Sequence, residues 1–192
     1  VASYDPSGAA TVEVRYNKLG PLGHHHAYII VTDTDGTQTV VRAGPTDGAS
    51  SLPSALTGAS SGSSTQRSSS RSSKSSGSSN SSSPGCATNG ETGPWGRLHA
   101  VVRPYTGPDS PDWTTDIVPS VTLIENDLPA APYIERLSNF ASKVNSSNIA
   151  YNPLSTNSNA FAHQAVESAG FGRPRAPVWS PGSSTNLGRH DN

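Results

Sequence analysis

Methionine is absent from all 192 residues and cysteine occurs once. A chain without methionine implies that translation begins upstream of Val1, so a processed product or a domain of something longer is expected, with any targeting signal lost. The lone Cys86 excludes an intramolecular disulfide, and beside Pro84-Gly85 at the end of a serine tract packing is not expected to activate its thiol, so it receives no role. Aromatics make up 6% and apolar residues 32%. No run approaches the ~18 apolar residues of a membrane span, and Val1-Ala2-Ser3-Tyr4-Asp5 lacks the basic-then-apolar order of a signal peptide. A soluble chain with no transmembrane segment is expected. Cationic excess is lacking too: net charge is −1, and three of the thirteen cations, Arg67, Arg71 and Lys74, sit in one serine-rich block. What remains is acidic, which excludes nucleic acid as an expected partner, because that affinity comes from clustered Lys and Arg on phosphates.

What is abundant is serine. Of the 34 residues from 50 to 83, 19 are serine. Such a tract buries too little apolar area to offset its ordering entropy, so it is expected to be a disordered spacer, with Asn80-Ser81-Ser82 as a sequon within it. Long surface insertions cost little beyond the first closure. The expected organisation is one domain over 1–192, interrupted by this insert at about 50–84. The remaining ~150 residues suffice for a single core.

Around the insert the hydrophobic period reads clearly. Thr11–Tyr16 alternates Val12, Val14 and Tyr16 with polar neighbours, as a half-buried strand does. His26–Thr32 is a denser β-branched and aromatic run suited to a central strand, and Asp33–Gly36 turns it into Thr37–Arg42, with Gly44-Pro45 as a stop. Strands are also expected at Trp95–Arg103 and Val118–Glu125, the latter an edge because of Pro119. From Tyr133 the period becomes helical through Ile134, Leu137, Ala141 and Val144, with Pro132 in the first turn. A second helix is expected from about Ser158 to Ala169, stopped by Gly170. The predicted fold class is α+β, a mostly antiparallel sheet of four to five strands packed against two helices.

Two places carry chemistry. Gly23-His24-His25-His26-Ala27-Tyr28 brings imidazoles to the start of the central strand, and histidine is the side chain best suited to take a proton near neutral pH. More than a hundred residues later, Asn157-Ser158-Asn159-Ala160-Phe161 delivers a hydroxyl to a helix N-terminus, where free N–H groups and the dipole favour a developing anion. Together they supply a base and a nucleophile. Each has a purely structural reading as well. Thr156, Asn157 or Ser158 serves equally as a helix N-cap, and consecutive histidines in a Gly/Pro-rich loop are often solvent-exposed. By alternation His24 and His26 share one strand face and His25 the other, which with His99 makes a metal pair conceivable. No HxxxH or Cys/His spacing supports it, so neither metal nor cofactor is expected. His163, about 500° round the helix from Ser158, is expected at the surface. Asp109 and Asp112 are read as turn residues of a Pro-rich loop.

At these residues the chain resembles the circularly permuted papain-like group: the permuted NlpC/P60 peptidases, the lecithin–retinol-acyltransferase-like enzymes and the PPPDE-type isopeptidases. There a pattern like H-W-A-I-Y-V-G opens one strand, V-V-H-L-A-P follows in the next, and a late N-C-E-H-F motif begins the nucleophile's helix. The counterparts here are His26-Ala-Tyr-Ile-Ile-Val-Thr32, Val40-Val41-Arg42-Ala43-Gly44-Pro45 and Asn157-Ser158-Asn159-Ala160-Phe161. Serine stands where the family has cysteine, and Arg42 where many members have a second histidine. An alcohol does not ionise near neutral pH as a thiol does, so Ser158 would need His26 to remove its proton during attack. The resemblance implies a permuted papain-like cleft with Ser158, His26 and Arg42 as catalytic residues and Asn157, Asn159 and His24 as oxyanion or substrate-binding residues. The implied reaction is acyl transfer or amide/ester hydrolysis on a peptide, cell-wall peptide or lipid ester. The opposing expectation is an inactive binding or structural module of a larger secreted or particle-associated protein; the expected setting is extracytoplasmic or within such a larger protein. Oligomeric state is not legible.

Overall fold

The structure, a computed structural model, describes residues 8–19, 23–46, 95–108, 110 and 112–188; the serine-rich insert, its sequon and Cys86 lie outside them. Alternation places the first strand. In β1 (Ala10–Leu19), Ala10, Val12, Val14 and Tyr16 are buried and the residues between them only partly so. β2 (His24–Thr32) is buried continuously from His26 to Val31, as a strand covered on both faces must be. A five-residue loop, closed by the Asp33 N–H donating to Thr37 O at 2.8 Å, leads into β3 (Gln38–Pro45). β4 (Leu98–Pro104) and β5 (Ser120–Asn126) complete an antiparallel sheet in the order β4-β3-β2-β1-β5, with the histidine-bearing strand at its centre. Pro119 directly precedes β5, its carbonyl accepting the Tyr16 N–H at 2.9 Å, and β5 is an edge.

Two boundaries differ from expectation. β3 runs on through Gly44-Pro45 because β4 pairs with it over Thr39–Pro45, so strand pairing overrides the local stop signal. β4 begins at Leu98, and Arg97 before it belongs to an isolated bridge with Ala150.

The helices cover one face of the sheet. α1 (Ala131–Ser146) starts with proline in its first turn and buries Tyr133, Leu137, Ala141 and Val144, the stripe its spacing predicts. α2 (Ser158–Ser168) packs against β2 and β3 and is buried at eight of its eleven positions. Val14, Tyr16, Ala27, Ile29, Val41 and Phe161 belong to this main core. The other face carries a small second core of Tyr28, Ile30, Val40 and Tyr105. No helix among the described residues is long and apolar enough to cross a membrane.

His163 corrects one expectation: it is 1% exposed. The segment after α2 covers the flank that a two-layer reading would leave in solvent, so the helix is enclosed nearly all round. The Nε2 of His163 meets the Tyr16 hydroxyl at 3.0 Å. Burial pushes its pKa down to about 4, the Arg173 charge acts in the same direction, and the Pro174 carbonyl opposes it. A histidine held neutral in the fold binds a proton more readily when unfolded, so its contribution is full above the ordinary value of 6.5 and is lost as pH falls toward 4. Thermal unfolding between pH 7 and pH 4.5 is expected to show a falling Tm, with a loss of up to about 3 kcal/mol from this residue. In His163→Gln most of that slope should vanish; an unchanged slope would assign it to other groups.

Candidate active site

β2 and β3 pair from Ile29↔Val41 to Thr32↔Gln38; beyond Ile29, toward His24, the β3 side of β2 has no strand neighbour among the described residues. Backbone groups left open there need partners. Asn159, in the first turn of α2, supplies them. Its Oδ1 accepts the Ala27 N–H at 2.7 Å, and its Nδ2 donates to the His25 carbonyl at 2.9 Å. One side-chain amide thus replaces the peptide group of a missing strand and fastens the start of α2 to the start of β2. Nδ2 also donates to Pro181 O at 2.8 Å.

Two residues earlier, Asn157 caps the helix. It is the N-cap, with Oδ1 accepting from the Asn159 and Ala160 N–H groups at 2.9 and 3.1 Å. Its Nδ2 donates to Pro153 O and Pro181 O. Both asparagine side chains are therefore committed to internal bonds that hold the start of α2 in place. Gly182 lets the C-terminal segment lie this close. At φ +85°, a Cβ there would fall 2.5 Å from Ser155 O and 2.6 Å from Asn157 Oδ1.

Between these two asparagines sits Ser158, 4% exposed. Its hydroxyl makes no hydrogen bond among the described residues. Asn157 Oδ1 takes the next two N–H groups of the helix, leaving the Ser158 N–H as the open donor of the first turn.

The histidines divide across the sheet. His26 faces away from α2: its ring stacks on Tyr28 at 6.1 Å, and its Nε2 lies 3.4 Å from Asp112 Oδ1. Arg42, on the same face as Val40, reaches Asp112 Oδ2 at 3.1 Å. The sheet therefore stands between Ser158 and the pair His26 and Arg42, and the three do not form one constellation. Strand alternation is the reason: helix-side neighbours of Ala27 are His25 and Ile29, while His26 and Tyr28 point the other way. His25 is the imidazole on the Ser158 side. It is partly exposed, its Nδ1 is buried without a partner, and its carbonyl is the one that Asn159 holds. His24 packs edge-on against Trp179 at 4.5 Å.

Asp112 is likewise more than a turn residue. It adopts φ +62°, a conformation that aspartate tolerates better than most, and turns its carboxylate onto the far face of the sheet. Burial pushes the pKa of this carboxyl up, but contact with His26 and the charges of Arg42 and Arg103 outweigh it and hold it below the usual carboxylate range. Tyr105 donates its hydroxyl to Asp112 O at 3.1 Å and fixes the loop. The Tyr28 hydroxyl beneath is buried without a partner. Among the described residues no group of three or more His, Cys, Asp or Glu side chains is arranged to hold a metal.

His25 and Asp112 are the two residues that sequence reasoning passed over. For His25 a signal exists: setting Ala27 on the alanine of H-W-A-I-Y-V-G puts His25, not His26, on the pattern's histidine. For Asp112 there is none, since its partners lie on other strands.

Asn159→Ala strands a buried donor and acceptor on β2 and is expected to cost about 3 kcal/mol in denaturant unfolding; a loss under ~1 kcal/mol would show that water replaces the amide. Gly182→Ala should lower stability by about 2 kcal/mol or more and raise amide exchange in the first turn of α2, because backbone rather than a flexible side chain meets the added methyl. Normal exchange there would contradict the close packing. Compared with known proteins, the chain matches no family model, no curated sequence and no solved structure, so its own geometry carries the functional reading.

Proposed function

We propose that the chain is a serine-dependent acyl hydrolase or acyltransferase of permuted papain-like architecture, with Ser158 as nucleophile and His25, rather than His26, as general base. The observation that carries this reading is the Asn159 clasp, because it fastens the helix turn bearing Ser158 to the strand segment bearing His25. The strand-first, helix-last order agrees with it. So does the free N–H at Ser158, which suits an oxyanion better than a capped one would.

In this reaction Ser158 Oγ attacks the carbonyl carbon of an ester or amide while His25 takes the hydroxyl proton. The oxyanion forms against the Ser158 N–H and the positive end of α2. On collapse the C–O or C–N bond breaks, and His25 returns the proton to the departing alcohol or amine. Water, or an acceptor alcohol or amine, then attacks the acyl-enzyme with His25 again as base; the ester bond to Ser158 Oγ breaks, His25 returns the proton to that oxygen, and the acid, ester or amide leaves. No carboxylate among the described residues is paired with His25, and Asp112 serves His26 on the other face. The pair therefore works without the orienting third member of a triad, which predicts slow turnover. The proposed substrates are those of the resembling families: a peptide, a cell-wall peptide or a lipid ester.

A second reading, an inactive binding or structural module, draws on the complete internal use of Asn157 and Asn159 and the near-burial of Ser158. A fluorophosphonate probe separates the two. Labelling is expected in the native chain and in His26→Ala, and is expected to be lost in Ser158→Ala and to fall at least about a hundredfold in His25→Ala. Labelling that needs His26 but not His25 would overturn the assignment of the base. No labelling at all, together with an unreactive thiol in Ser158→Cys, would favour the module.

A further inference from the structure

Beyond the helix turn that it clamps, the C-terminal segment does something else. From Arg173 to Ser184 it arches over the flank of α2 and, with His163, walls an open cavity of about 480 Å³. That is within the range of small-molecule sites, ~300–1,000 Å³. Neither Ser158 nor His25 lines it, so a ligand bound there is independent of the acyl-transfer reading.

The wall has two characters. Ala176, Val178 and Pro181 are apolar, and Trp179, 62% exposed, adds an aromatic face. The charged lining residues are both cations, Arg173 and Arg175; no lining residue is acidic. Arg173 is occupied in holding the arch, since its guanidinium donates to Ser184 O and Thr185 O and its Nε lies 3.5 Å from Glu167. Arg175 is exposed and makes no ion pair or hydrogen bond among the described residues.

His163 adds a buried polar group. Its Nε2 faces the Tyr16 hydroxyl, and its Nδ1 has no hydrogen-bond partner. Two tautomers are available. With the proton on Nε2, the Tyr16 O–H is left buried with no acceptor. With the proton on Nδ1, Tyr16 donates to Nε2 and the Nδ1–H is left facing the Pro174 carbonyl, closed off from solvent. The second arrangement leaves fewer buried groups unpaired and is the lower in energy. His163 is therefore turned inward, and the group on the wall that lacks a partner among the described residues is the Arg175 cation.

We infer that this cavity binds a small carboxylate with an apolar body, the carboxylate on the Arg175 guanidinium and the body against Ala176, Val178 and Trp179. Guanidinium N–H groups donate to a carboxylate, and the apolar wall distinguishes such a ligand from a bare inorganic anion.

Calorimetric titration of the full chain with benzoate, benzamide and inorganic phosphate tests this. Benzoate is expected to bind saturably, and benzamide and phosphate at least about tenfold more weakly. Arg175→Ala should weaken benzoate about tenfold and Arg175→Glu abolish it, while Lys143→Ala, a charge removed on α1, should leave it unchanged. Absence of saturable benzoate binding, or equal affinity in Arg175→Ala, would overturn the site. Benzamide binding as well as benzoate would overturn the role of charge, and phosphate binding as well would overturn that of the apolar wall.

Discussion

Where β3 leaves β2, two backbone groups of the central strand would be stranded under a helix, and the amide of Asn159 satisfies both. Much of the site's geometry derives from that substitution of a side chain for a strand. A two-bond amide clasp fixes the approach of α2 to β2 in distance and in register, because acceptor and donor must meet a particular N–H and a particular carbonyl. Asn157 then caps the same turn, Pro181 accepts from both asparagines, and Gly182 gives the room for it. Ser158 is held between two residues whose own side chains have no freedom left. Such over-determined surroundings are what a preorganised hydroxyl requires.

A strand's two-residue period separates the three consecutive histidines. His25 lies on the helix side, next to the clasp, whereas His26 lies on the far side against Tyr28 and Asp112. The far-side cluster is an ion-pair arrangement in its own right, since Asp112 bridges a strand β2 imidazole and a strand β3 guanidinium beneath the loop after β4. It ties that loop to the sheet. It also leaves the helix-side imidazole without a carboxylate partner, so the two faces divide between them groups that a catalytic triad would gather on one.

Much of the fold is legible in the order of residues alone. Val12, Val14 and Tyr16 announce β1 by alternation, the run after His26 announces a central strand, and Leu137, Ala141 and Val144 announce α1. These patterns are local: a half-buried element must place its apolar residues with its own period. The exceptions have non-local causes. β3 passes Gly44-Pro45 because a partner strand pairs there, and His163 is buried because a later segment closes over it. Asp112 has the sequence context of a plain loop residue because its partners lie on two other strands.

The candidate site shows the same division. The amino-acid order by itself determined that an imidazole-rich strand start and a serine at a helix N-terminus exist, because composition, capping preference and periodicity act over a few residues. Which imidazole shares a side with Ser158, and whether Asn157 and Asn159 are free to act, was decided only by the tertiary structure. Strand facing fixes the first, and the hydrogen bonds made across 132 and 134 residues of chain fix the second. Neither quantity is defined until the elements meet, since each is a relation between surfaces rather than a property of a segment.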